Sequence, residues 1–307
     1  MKPVTVMSQQ GIADGPGPSI GAIPRVESVQ DFLEHVTRRE PAVIRIQGHE
    51  PLWRQEIEAS LWKASLPVRL LPDSLTRPRP YEHFWGYLRA SLAAHTVQRM
   101  TLADAQRLRC RWMVSGIDVG LPGSALSAMS ELDGLTPSGS VVDKTGCWVS
   151  STGCETPIHW DAFGPHNLHM VLTGSKRLVL FHPTEAAHVY CYGGPRYITR
   201  FAAAVDVARP DLVRFPKYAE ANGLSATLTA GDVLFIPAFW WHHALHVDDF
   251  NVSATRWFYE DSSSHPREPA VPPQGKNPAS SSARCGNGPS SRVYPRRAIS
   301  SSCQRLA

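Results

Sequence analysis

From Gly146 to Tyr259, glycine and proline cut the chain into short apolar segments: "CWVSS", "TPIHWD", "NLHMVL", "KRLVLFHP", "SATLTAGDVLFIP", "WWHHALHV" and "NVSATRWFY". Each is shorter than an ordinary helix or carries an internal turn. All are rich in β-branched and aromatic residues and bounded by turn formers, which is the pattern of strands. So many strands in so short a stretch leave edges that must be paired or closed, and a two-sheet jelly roll does both. The expected fold is mainly β, with a jelly-roll core over residues 146–260.

Ahead of this core the pattern changes. "VESVQDFLEHV" places Val26, Val29, Phe32, Leu33 and Val36 at helical spacing, and "PAVIRIQG" reads as a strand ended by Gly48. Further helices are expected at "YEHFWGYLRASLAAH" and "LPGSALSAMSEL". Residues 23–145 therefore form an α/β region packing on the barrel, and residues 1–22 are expected to be disordered. The Ser-, Pro- and Arg-rich tail, 261–307, has too few large apolar residues to offset the entropy of ordering and is also expected to be disordered.

Charge narrows the partners. The chain is formally +4, but seven of its 31 Lys and Arg, against two of its 27 Asp and Glu, fall after Glu260. Residues 1–260 thus carry −1, with no basic excess for gripping nucleic-acid phosphates. The six cysteines form no CxxC pair, which argues against a zinc site or a disulfide framework. No apolar run approaches the roughly 18–20 residues of a membrane helix and no signal-type segment opens the chain, so an intracellular protein, cytoplasmic or nuclear and with no membrane partner, is expected.

The chemistry concentrates in "TPIHWDAFGPHNLHMVLTGSKRLVLFHP". On a strand, residues two apart share a face, so His159 and Asp161 project together while Trp160 points away. A later strand carries His242 and His243, of which only one can join them. Two neutral imidazoles and one carboxylate suit octahedral Fe(II) and leave positions open for a bidentate acid and dioxygen. Lys176 shares a face with Leu178 and Leu180, and an ammonium turned into a barrel requires an anion to meet it.

Together with "TGSKR" and "GDVLFIP" followed by "WWHH", these residues resemble the JmjC-type cupin-like hydroxylases, dioxygenases that use Fe(II) and 2-oxoglutarate. The family includes the asparaginyl hydroxylase of hypoxia-inducible factor and the tRNA wybutosine hydroxylase. The resemblance covers about residues 146–259, with "REPAVIRIQG" as a weaker N-terminal echo. It implies a double-stranded β-helix of cupin type with N-terminal helices, and a reaction in which 2-oxoglutarate goes to succinate and carbon dioxide as a substrate C–H is hydroxylated. The iron ligands it implies are His159, Asp161 and His242, the last being the first histidine after the aromatic pair Trp240–Trp241. Thr156 and Lys176 would hold the distal carboxylate of 2-oxoglutarate, and Asn167 would contact the cosubstrate.

Two features depart from the family pattern. The interval from His159 to Lys176 is longer, the extra length falling in "AFGPHN", and Arg256 stands where the family carries Asn. Arg256 is assigned to the cosubstrate as a carboxylate clamp, the alternative being an outward arginine on a strand shifted by one residue. His166, His169, His182 and His188 read as structural or surface residues. Trp240, Trp241 and Trp257 read as core or pocket lining, with Trp257 at the edge of the substrate cavity. The expected substrate is a protein side chain. A tRNA base is the enzymatic alternative, and a catalytically inactive cupin-fold binding or scaffold protein is the non-enzymatic one. The family's dimers rest on C-terminal helices, and no helical pattern follows Tyr259, which favours a monomer.

Overall fold

A computed structural model describes residues 17–46, 50–71, 96–108, 110–116, 127, 129–192 and 201–260. The helix expected at 81–95, most of that at 121–132 and the tail 261–307 lie outside the described residues. The N-terminal elements are β1 (Ser19–Ala22), β2 (Arg25–Val26), α1 (Val29–Arg38), β3 (Ala42–Arg45), α2 (Glu50–Leu61), β4 (Ser65–Leu71), β5 (Thr96–Thr101), α3 (Leu102–Arg107) and β6 (Arg111–Gly116). The core strands follow as β7 (Val141–Ser150), β8 (Glu155–His159), β9 (His166–Thr173), β10 (Ser175–Phe181), β11 (Asn222–Thr229), β12 (Asp232–Ile236), β13 (Trp241–His246) and β14 (Asn251–Tyr259).

These last strands make the jelly roll. They sort into two facing layers, β12-β9-β14-β7 and β11-β10-β13-β8, so the chain crosses from one layer to the other at almost every step. Turn chemistry sets where it reverses. Gly174, between β9 and β10, has φ +78°, and a Cβ there would lie 2.5 Å from both Asn251 Oδ1 and the Phe250 carbonyl, so only glycine fits this tight reversal.

The N-terminal elements dispose of the sheet edges. β1 adds parallel to β11, β2 and β3 extend the larger sheet beyond β12, and β6, β4 and β5 extend it beyond β7, giving sheets of five and nine strands. Ser19–Ala22 belongs to the segment expected to be loose; its pairing from Ser19↔Asn222 to Ala22↔Ser225 supplies order that its own sequence does not. Helix α1 matches its periodicity. Ser28 caps it by accepting from the Asp31 amide at 3.0 Å, and Phe32 and Val36 form its buried stripe.

Both sheets are covered on their outer faces. Phe32, Val36, Ile57 and Leu61 of α1 and α2 pack with Leu168, Met170, Phe235, Val252, Ala254 and Phe258 on the outside of the larger sheet. Ile158, Val179, Phe181 and Trp241 pack with Ala186, Val189, Phe215 and Tyr218 on the outside of the smaller one. Between the sheets, Val171, Leu178, Leu180, Leu228, Leu234, Ile236 and Ala244 form a dry inner cluster. The inner side also carries buried polar side chains, among them Asn167, His169, Lys176, His242 and His246.

Candidate metal centre

His159 ends β8 and His242 follows the first residue of β13, and these two residues are direct register partners across the antiparallel pair. Opposed residues project to one side, so the two imidazoles meet with ring centroids 4.2 Å apart. Asp161 lies just past β8, and its Oδ1 is 4.0 Å from the Nε2 of each histidine. One donor atom from each of the three falls within a 4.8 Å span.

The tautomers are set from behind. Nδ1–H of His159 donates to the Pro157 carbonyl at 2.8 Å, and Nδ1–H of His242 donates to the Trp240 carbonyl at 3.0 Å. Each Nε2 lone pair therefore faces Asp161, the arrangement in which imidazole binds a metal. Burial, and secondarily the neighbouring His242, push the His159 imidazole down to about 4, so it is neutral at physiological pH, as a ligand must be. Asn167 Nδ2 donates to Asp161 Oδ2 at 2.8 Å and leaves Oδ1 for the histidines. The loop after Asp161 is a tight turn, with the Gly164 amide on the Asp161 carbonyl at 2.9 Å. Phe163 there is 66% exposed at φ 73°, a conformation uncommon for a bulky residue, so "AFGPHN" displays an aromatic ring next to the triad.

Lys176 enters the same inner space from β10, where it is the register partner of His246 on β13. It is 5% exposed, its Nζ donates to Ser253 Oγ over a long 3.5 Å, and among the described residues no carboxylate pairs with it. Burial pushes its ammonium down to about 7. Around it stand His246, bonded through Nδ1 to Ser150 Oγ, and His169, bonded through Nδ1 to Thr255 Oγ1. Thr156 reaches this side as the partner of Ala244, because a bulge between His242 and Ala244 shifts the register of β8.

Arg256 is placed elsewhere. On β14 the inward residues are Ser253, which meets Lys176, and Thr255, which meets His169. Arg256 alternates to the outer face with Ala254 and Phe258, where its guanidinium pairs with Asp133 and donates to the Met129 carbonyl at 3.4 Å. The clamp role expected for it therefore has no geometric basis, and the outward alternative describes it. Accordingly, if the site holds 2-oxoglutarate, Arg256→Asn should leave its affinity within twofold and cost about 1 kcal/mol of stability, read by calorimetry and thermal melts. A larger change in affinity would return Arg256 to the site.

The remaining histidines divide. His166 is buried between Phe235 and Phe258 and accepts from the Ala238 amide at 3.2 Å; His182 caps a short 3-10 helix; His188 lies 2.7 Å from Glu185. These are structural, as their sequence context suggested. His169 is not: it lies inside the barrel with the candidate ligands, and its alternation with Asn167 on β9 is the signal that would have found it. Trp257 shares the inward face of β14, with its ring against Gly146 and the Lys144 ammonium 4.9 Å from the ring centroid. Trp241 is buried on the outer face of the smaller sheet.

The profile of the cupin-like domain matches residues 103–264. Human HSPB1-associated protein 1 is 36% identical over 110 residues, 36% of this chain and 22% of that protein, and its zebrafish homologue is 38% identical over 114 residues, 37% of this chain and 25% of that protein. Human tRNA wybutosine-synthesizing protein 5 is 36% identical over 104 residues, 34% of this chain and 30% of that protein. The chain thus spans between a fifth and a third of the length of these relatives. With the profile covering more than half of the chain and the strands wound as that domain requires, this protein belongs to the cupin-like domain family.

Proposed function

We propose that this protein is an Fe(II)- and 2-oxoglutarate-dependent dioxygenase that hydroxylates a macromolecule, with a protein side chain as its substrate. The observation that carries the reading is a pairing inside one barrel. Two imidazole Nε2 atoms and a carboxylate converge at one place, and a buried lysine that has no carboxylate partner among the described residues occupies the same interior. The donor set fits Fe(II): nitrogen and oxygen ligands on one face leave other positions open, and bonds of about 2 Å need only a small inward movement of the three atoms. A dicarboxylate fits the remainder, since it can place one end on the metal and bring a second negative charge to Lys176.

His159, Asp161 and His242 would hold the iron, which with the bound cosubstrate supplies the oxidising power of the reaction. The protein's own contributions are positional. Pro157 and Trp240 carbonyls fix the imidazole tautomers, Asn167 orients Asp161, Lys176 neutralises the far carboxylate, and the inner cluster of Leu178, Leu180, Leu234 and Ile236 excludes water. Thr156, the register partner of Ala244, would add a hydroxyl on the same side of the barrel.

Purified protein given Fe(II), oxygen and 2-oxoglutarate should form succinate slowly even without its substrate, and formation should stop when iron is chelated. No succinate together with no calorimetric signal for 2-oxoglutarate would replace this reading with that of a binding or scaffold protein. A tRNA base is the second reading, favoured by the relative named for tRNA wybutosine synthesis and weighed against by the −1 charge of residues 1–260. Binding to tRNA that falls steeply with salt would select it.

A further inference from the structure

His169 carries an observation that the reading above leaves unused. It is 5% exposed on the inward face of β9, two residues from Asn167 and opposite Leu234. Its Nδ1 is 2.9 Å from Thr255 Oγ1, but among the described residues its buried Nε2 has no hydrogen-bond partner. A buried polar atom left unpaired costs on the order of 1–3 kcal/mol, so such atoms mark places where something else completes the bond. Its position says what. His169 is close enough to His242, Lys176 and His246 to feel the charge of each, so it shares the interior of the barrel with both the triad and the lysine. Asn167 Oδ1, also buried and unpaired, belongs to the same inward row.

We propose that His169 is a cosubstrate-binding residue: its Nε2–H donates to the 2-oxoglutarate that spans from the metal to Lys176, with Thr255 as the positioning residue that selects this tautomer. The assignment rests on the dioxygenase reading and deepens it. The Thr255 hydroxyl can donate to Nδ1, which moves the imidazole proton to Nε2 and turns a donor toward the cavity. An anion there favours that tautomer over the one that would present a lone pair. The cosubstrate is then held by a third polar contact along its length, besides the metal and the lysine.

The test is anaerobic calorimetry of 2-oxoglutarate into the metal-loaded full chain, with metal content and melting temperature measured in parallel. His169→Phe keeps a ring of similar shape but removes the donor, and should weaken 2-oxoglutarate by about ten- to a hundredfold, the scale of one hydrogen bond to a charged group, while metal content stays at the parent level. His169→Gln, which offers an amide donor at similar reach, should recover part of the loss. Thr255→Val should weaken binding in the same direction, and Thr255→Ser should restore it. Parent-like affinity in a folded, metal-loaded His169→Phe would overturn the assignment and leave the dioxygenase reading standing. A parent protein that binds metal but no 2-oxoglutarate would overturn both.

Discussion

His242→Ala should retain no Fe(II) at micromolar metal and form no succinate, whereas His243→Ala should keep its iron and a measurable rate. The two residues are neighbours on β13, so their side chains leave opposite faces of the strand. His242 is the register partner of His159 and points its Nε2 at Asp161. His243 points to the outer side, where its Nε2 lies 3.5 Å from Glu155 Oε2, and both groups are largely buried. Removing His242 takes away one of the three candidate donors that the described residues bring together here. Removing His243 strands a shielded carboxylate and should cost about 1–3 kcal/mol of stability without reaching the metal. Metal content by mass spectrometry and melting temperature separate the two effects. An iron-free His243→Ala beside an iron-loaded His242→Ala would mean that β13 is displaced by one residue, and every inward residue of its neighbours would have to be reassigned.

That dependence on register marks the boundary of what could be read from sequence. The strands of the core are legible because glycine and proline punctuate them, whereas Asp161 comes beside His159 just past the end of β8, where a turn and not strand alternation sets it. Which face of a strand is inward is not legible. All eight residues of β9 are buried, as is most of β14, because helices and a long connection cover the outer faces of the sheets. With both faces covered the usual polar–apolar alternation vanishes, so the sequence does not separate the inward His169 from the outward Arg256. Asn167 is expected from the sequence to contact the cosubstrate; its bond to Asp161, which the tight turn at Gly164 positions, is not legible there. Strand β1 was missed because its four residues gain order only by pairing with β11, some 200 positions away.

Lys176 offers the opposite test, a substitution expected to stabilise the protein as it destroys binding. Its ammonium is held at about 7 in the folded chain against an ordinary value of 10.5, with burial as the cause. Between those values the unfolded chain binds a proton that the folded chain does not, so stability rises with pH across that window. Read downward, the penalty grows as pH falls from 10.5 and is fully present below about 7. Lys176→Met keeps the apolar stem and removes the charge, so without ligand the variant should be more stable than the parent at pH 7 by up to about 4 kcal/mol. The gain should shrink toward zero as pH approaches 10, which urea titrations at a series of pH values would follow. With 2-oxoglutarate present the order should reverse. The parent gains stability by mass action, about 2.7 kcal/mol at a hundredfold excess over Kd, while the variant, lacking the cation that meets the second carboxylate, should bind at least about a hundredfold more weakly and gain little. A Lys176→Met protein that is less stable than the parent at every pH, and that still binds 2-oxoglutarate with parental affinity, would show that the lysine is a packing residue whose charge faces no ligand.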